Sequence, residues 1–286
     1  MIVTECIHEF LADHRARGSR PATIRWYGET VTRLLRPHLE STVSAITVLD
    51  INHALGLDVA PASRANYDRA LRGFFSWLHG AGLVDSNLFA GRKNPRVRVT
   101  LRETLSLDEV RRLFEVARLD PRFTDRNRAI LAVFLGTGLR AGEVARLRMC
   151  DVDFEVGELR VDGKNGNAVV WVDRFTLNAL RRYTRRARHT IANEQHLFLF
   201  NNRPVTAASL SRLVSRLATR AAIGRPVGAH LLRHTFATTY IRNGGDGFSL
   251  QRILRHSSPA MTQKYLHFAS SDVREKMERY SPLAGM

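Results

Sequence analysis

The chain has 286 residues, 44% of them hydrophobic, enough to fill sizeable cores and better suited to two domains than to one. Lys and Arg number 44 against 27 Asp and Glu, a formal net charge of +17; a body with that excess is most stable beside a polyanion, with nucleic acid the first candidate and an anionic membrane surface the second. Two cysteines exclude a disulfide framework, the N-terminal MIVTECIHEF has acids where a signal peptide is basic and then apolar, and the longest apolar stretch, near AILAVFLGTGL, falls short of the ~18 residues of a membrane span. The expectation is a soluble, cytoplasmic, nucleoid-associated protein with no membrane partner.

The charge is uneven. Residues 1–95 carry 11 basic and 9 acidic side chains, and residues 96–286 carry 33 and 18, so the net is +2 and then +15. The polyanion site is therefore expected in the second part. Lysine occurs four times and arginine forty times.

Residues 1–90 read as a domain of four or five helices. In SRANYDRALRGFFSWLHGAGL, the apolar residues Tyr67, Ala70, Leu71, Phe74, Phe75 and Leu78 follow the helical rhythm of one buried face. Ser63 is the expected cap, and Gly80 and Gly82 end the run. PATIRWYGETVTRLLRPHL behaves alike and is closed by Pro37. Residues 91–105, basic and containing Pro95, read as a linker. A second domain, 106–286, opens at SLDE, a capping box of Ser106 and Glu109. A buried helix is expected near 124–135, broken by the Gly136 and Gly138 of GTG, with helix again over GEVARLR. GELRV and AVVWV flank DGKNGN, whose Asn165-Gly166 pair predicts a hairpin turn. Helices then follow to HLLRHTFATTYIRNG, SLQRILRH and SPAMTQKYLHF. The cluster Arg181, Arg182, Arg185, Arg186 and Arg188 reads as a solvated face. The fold class is thus mainly α with a small β-hairpin.

Several residues carry chemistry when taken together. In HLLRH, His230 and Arg233 share a helix face at i, i+3. His230 and His234 have the i, i+4 spacing of a zinc pair but lack the HExxH glutamate, so no metal is expected. Arg140 follows the glycine break, and Glu143, three residues on, is placed to orient it. Each of these alone reads better as an ordinary surface pair. Lys164 sits at the hairpin turn and, unlike arginine, loses a proton at accessible pH. Attack of a hydroxyl on a DNA phosphodiester builds negative charge that two arginines clamp. A lysine protonates the leaving 5′ oxygen, and a phenol serves as nucleophile once deprotonated. Such a site needs no metal, cofactor or ATP, and no GxxxxGK[ST] loop is present. Tyr265 is the candidate nucleophile. Tyr240, seven residues after Arg233 on the same helix, is displaced by about 10.5 Å along the axis, too far for in-line attack at that arginine.

The order Arg, Lys, His-x-x-Arg, His, Tyr resembles the tyrosine recombinase (phage integrase) family, of the Xer-like or small-integrase type. TGLRAGEVARLRMCDVDF resembles its first-arginine box, VDGKNGNAVVWV its lysine hairpin, HLLRHTFAT its second box and LRHSSPAMTQKYLHF its tyrosine box. The resemblance implies a two-domain DNA clamp, with a helical core-binding domain followed by the catalytic domain. It implies that Arg140 and Arg233 bind the scissile phosphate and that Lys164 protonates the leaving group. His230 and His256 assist, and Tyr265 forms a 3′-phosphotyrosyl bond. It further implies double-stranded DNA as partner and a homo-tetramer on two DNA sites. An accessory DNA-bending or directionality protein is a further candidate partner, and SSDVREKMERYSPLAGM is the candidate segment for exchange between subunits, the alternative being a tail helix packed on its own domain. Two rivals stay open: a type IB topoisomerase-like relaxase and a catalytically decayed architectural DNA-binding protein. One departure stands out. Where the family pattern reads Leu-Gly-His, this chain reads Leu254-Arg255-His256.

Overall fold

The structure is a computed structural model, and it describes residues 1–93, 103–120, 123–163, 166–188, 195–255 and 258–266. The chain divides into two compact units, Met1–Leu101 and Arg102–Met286. No described helix is long and apolar enough to cross a membrane.

Among the described residues of the first unit are four α-helices, α1 (Val3–Ala16), α2 (Pro21–Leu34), α3 (Val48–Leu55) and α4 (Pro61–Gly80). Proline opens both α2 and α4 at a position where its missing N–H has no helical partner to lose. That proline, not Ser63, sets the start of α4: Ala60 is the N-cap and Ser63 lies inside the first turn. Thr47 and Asp50 close a reciprocal capping box on α3. The core gathers Phe10, Leu35, Ile51, Leu71, Phe74, Phe75 and Leu78, all buried; truncating one of these phenylalanines to Ala costs about 3–5 kcal/mol. Asp68, buried on α4, accepts Arg72 at 3.1 Å and faces Arg92 at 3.5 Å. Arg92 also stacks on Phe89, so residues beyond α4 are tied back to this unit.

The second unit opens at a buried anchor. Leu105 is buried and its N–H donates to Thr235 Oγ1 at 3.0 Å. The expected linker 91–105 thus has residues at both ends tied into a unit, and 94–102 lie outside the described residues. The capping box forms as read: Ser106 N–H donates to Glu109 at 2.8 Å and Glu109 N–H to Ser106 Oγ at 3.2 Å, starting α5 (Leu107–Arg118). Next come α6 (Thr124–Thr137) and α7 (Ala141–Arg146). An antiparallel sheet of order β1-β2-β3 follows, with β1 (Val152–Asp153), β2 (Glu158–Gly163) and β3 (Gly166–Trp171). Leu159, Val161 and Val170 point into the core while Val169 and Trp171 face out, the period-2 alternation of a sheet with one wet face. Half of the expected Asn165-Gly166 turn can be located. Gly163 pairs with Gly166, so Gly166, at φ +96°, belongs to the ladder rather than to the turn. Lys164 and Asn165 lie outside the described residues.

Helix α8 (Arg174–Tyr183) runs into a π turn, Thr184–Arg188. The arginine cluster here is not simply a solvated face. Arg188 is 3% exposed and donates twice to the His196 carbonyl, at 3.0 and 2.8 Å. Arg182 pairs with Asp125 at 2.8 Å, and Arg181 reaches the Phe154 carbonyl. A two-stranded ladder, β4 (Leu199–Phe200) with β5 (Arg203–Pro204), precedes α9 (Ala207–Arg220), α10 (Ala229–Arg242), α11 (Gly247–Leu254) and α12 (Ala260–Leu266). Helix α6 is the hub: it packs on α5, α8 and α10 and is buried almost throughout, from Ala129 to Phe134. Gly136 does not break it, contrary to expectation. It lies within α6, and a Cβ there would collide with Thr176 of α8 and with Asp173, the N-cap of that helix; its role is close helix approach. Gly138 alone makes the break, at φ +63°.

Candidate active site

Five helices, α6, α7, α10, α11 and α12, converge on one cluster. Gly138 ends α6 in the left-handed region that a Cβ disfavours, and the chain re-enters helix two residues later with Arg140 as N-cap of α7. Glu143, in the third position of α7, reaches back to accept the Arg140 backbone N–H at 2.8 Å, the reciprocal half of a capping box. Its other oxygen accepts Arg140 Nη1 at 3.0 Å. The Glu143 side chain is 3% exposed and that of Arg140 is 36% exposed. A local helix start therefore aims a half-exposed guanidinium outward from a buried carboxylate.

Arg233 sits on α10 and is 3% exposed. It donates Nη1 to the Gly138 carbonyl and Nη2 to the Leu254 carbonyl, both at 2.7 Å. The acceptors are the carbonyls at the ends of α6 and α11, where the helical pattern leaves C=O groups without partners and the macrodipole favours a cation. Burial pulls the Arg233 pKa down to about 10, and the neighbouring Arg140 pulls the same way; Glu143 and Tyr265 oppose it. It remains cationic at neutral pH. Leu231 and Leu232, between the two polar residues of HLLRH, are buried in the core as expected, and His230 is exposed one turn N-terminal to Arg233.

Tyr265 lies on α12, which Pro259 initiates by accepting from the N–H groups of Thr262 and Gln263 at 2.8 and 3.0 Å. The phenol is 2% exposed and joins Ala237, Ile241, Leu250 and Leu254 in a small cluster apart from the main core. The His234 ring stands 5.3 Å from it, centroid to centroid. Burial raises the Tyr265 pKa and the Arg233 charge draws it back. Tyr240 packs on Phe236, and both lie against the same cluster.

Of the residues expected from sequence, the structure brings Arg140, Glu143, Arg233 and Tyr265 into one electrostatic neighbourhood. His230 shares a helix with Arg233. Lys164 and His256 fall outside the described residues, as does the expected exchange segment 270–286. Sequence reasoning singled out Arg255 as a departure but gave it no role in the site. It ends α11 at φ +52°, ψ +50° and donates Nη2 to Glu143 Oε2 at 2.5 Å, with its side chain 10% exposed. The only sequence signal was an arginine standing where the family pattern has glycine. His234, read from sequence only as half of a zinc pair, proves to be a neighbour of Tyr265.

Residues 103–271 match the model of the phage integrase family. The tyrosine recombinase XerC of Oceanobacillus iheyensis is 29% identical over 282 residues, covering 94% of this chain and 92% of that protein. XerC of Pediococcus pentosaceus is 32% identical over 221 residues, 74% of this chain and 73% of its own. Among solved structures, XerA recombinase is 27% identical with a TM-score of 0.54, covering 97% of this chain and 98% of its own. A lambda integrase dimer bound to a COC′ core site shares the fold at a TM-score of 0.75 and 19% identity, covering 91% and 97%. With the family's pattern spanning more than half of the sequence and its arginine pair gathered beside a tyrosine, the chain belongs to the phage integrase family of tyrosine recombinases.

Proposed function

We propose that this protein is a site-specific DNA recombinase that cuts and rejoins strands through a 3′-phosphotyrosyl intermediate at Tyr265. The observation that carries the reading is the neighbourhood of Arg140, Arg233 and Tyr265: two guanidiniums, one half-exposed and one locked by backbone carbonyls, beside a single buried phenol. The scissile phosphate docks on the two arginines, whose N–H groups hold its non-bridging oxygens more strongly as charge builds in the transition state. The Tyr265 oxygen bonds to phosphorus and the P–O5′ bond breaks. Lys164 supplies the proton to O5′, and His230 and His256 donate to the phosphate or carry the tyrosine proton away. A 5′-hydroxyl from a second duplex then reverses the step and frees Tyr265. The phosphodiester energy is kept throughout, so no ATP is consumed.

In this reading the two units grip double-stranded DNA as a clamp, with residues 1–90 as the core-binding domain. Four copies act on two DNA sites in the cytoplasm, at the nucleoid. Segment 270–286 is exchanged between copies, and an accessory DNA-bending or directionality protein joins where the reaction needs a direction. The test presupposes no target sequence. The protein is expressed in its own host, lysed under denaturing conditions and captured, and the covalently attached DNA is sequenced. A discrete enriched site in the wild type, reduced to background in Tyr265→Phe, is the expected result. Adducts that persist in Tyr265→Phe would assign the nucleophile elsewhere, with Tyr240 next to be tested. DNA binding without adducts in either protein would favour a binding role.

A further inference from the structure

Glu143 accepts from two arginines distant in sequence. Its Oε1 takes Arg140 Nη1, and its Oε2 takes both the Arg140 backbone N–H and Arg255 Nη2. Arg255 lies 112 residues further along the chain. The ion pair is enclosed, with the Arg255 side chain 10% and the Glu143 side chain 3% exposed, where charge-assisted hydrogen bonds are least screened. Arg255 also occupies a left-handed backbone conformation, φ +52°, which a residue with a Cβ adopts at a cost. A strained conformation held by a specific buried contact points to a selected role rather than to chance packing. The residue just before it, Leu254, lends its carbonyl to Arg233.

We propose that Arg255 is a positioning residue for the recombinase reaction, one that sets Arg140 through Glu143 while its own turn presents the Leu254 carbonyl that seats Arg233. Glu143 alone has a single local partner, Arg140, and can follow it. Pinned by Arg255 from a different helix, it becomes a fixed post, and the Arg140 guanidinium is held where the phosphate arrives. The inference rests on the strand-transfer function proposed above.

The test is single-turnover strand cleavage on the DNA site recovered from covalent adducts, with DNA affinity measured in parallel. The proteins are wild type, Arg255→Gly, Arg255→Lys, Glu143→Gln and the Arg255→Gly/Glu143→Gln double variant. Glycine suits the left-handed turn, so Arg255→Gly keeps the Leu254 carbonyl in place while it removes the tie to Glu143. The expected result is cleavage slowed about 10- to 100-fold in Arg255→Gly, the scale of a small misplacement of a reacting group. DNA affinity should stay within about threefold, because many phosphate contacts share it. Arg255→Lys, which keeps a cation facing Glu143, should recover most of the rate. The double variant should be no slower than Glu143→Gln alone, because Arg255 acts through Glu143. Wild-type cleavage by Arg255→Gly, losses that multiply in the double variant, or Arg255→Lys as slow as Arg255→Gly would each overturn the positioning role. If Arg255→Gly does not fold, the lysine variant and the Glu143 comparison decide. Should the wild type bind DNA without forming adducts, the strand-transfer reading falls and this role with it; adducts in the wild type with an unaffected Arg255→Gly would remove only the positioning role.

Discussion

Arg233 shows how a charge survives burial in this protein. Its guanidinium is planar and forked, so two N–H groups span the carbonyls of Gly138 and Leu254 at once, at 2.7 Å each. A lysine presents a single point charge and cannot bridge both. Arg233→Lys is therefore expected to leave one carbonyl without its donor and to misplace the clamp. Strand cleavage should fall by about 10²–10³, the loss typical of removing one oriented donor to developing charge, as read by single-turnover kinetics on a recovered site. Arg126 is a structural counterpart. It lies between the Phe123 and Phe200 rings, and burial lowers its pKa to about 10. Yet it forms no part of the clamp, so a buried arginine here does not by itself mark chemistry.

At the scale of elements, the site depends on how helices end. The termini of α6 and α11 supply the carbonyls that hold Arg233, and the start of α7 supplies the frame for Arg140. Gly138 is the pivot. A Cβ there would stand 2.5 Å from the Phe236 ring and 2.8 Å from Leu254, and φ is already +63°. Gly138→Ala combines left-handed strain with overpacking, and should cost about 2–4 kcal/mol in urea unfolding and depress cleavage as well. The entry into α5 carries a separate tie. Arg225 donates to both oxygens of Glu109 and to the Thr104 carbonyl, and holds the Glu109 pKa down from 4.5 to about 2. A depressed carboxylate stabilises the fold above its unfolded pKa, and that stability is lost as pH falls towards the folded value. Glu109→Gln should thus lower stability at pH 7 by about 1–3 kcal/mol, and the gap to wild type should close between pH 4.5 and about 2. Denaturant melts across that range check it.

The whole molecule carries a net charge of +17, nearly all of it in residues 96–286. If those cations meet phosphates, binding is driven in large part by counterion release and is steeply sensitive to salt. DNA affinity should drop by about 10³ or more between roughly 50 and 200 mM salt, measured by fluorescence anisotropy. Charge reversal at exposed arginines should flatten the slope. The two units have separate hydrophobic cores, so each supports its own helices. The chemistry assembled among the described residues lies within the second unit.

Much of this was legible in the linear chain. The α4 face, the Ser106–Glu109 box, the β2–β3 ladder and the order of the boxes around Arg140, Arg233 and Tyr265 all rest on spacings of a few residues, where periodicity and capping act directly. The misreadings were local as well: Pro61 outranks Ser63 as a helix start, and its pairing with Gly163 puts Gly166 in the ladder. What sequence could not supply were partners far along the chain. Leu105 with Thr235, 130 residues apart, Arg233 with the carbonyls of two other helices, and Arg255 with Glu143 exist only once α6, α7, α10 and α11 are packed. The sequence by itself determined most of the elements, the family pattern and which side chains are candidates for the reaction, because propensity and spacing are properties of short segments. Only the tertiary structure decided which charge each side chain faces, because a buried ion pair is defined by surroundings that distant segments bring together.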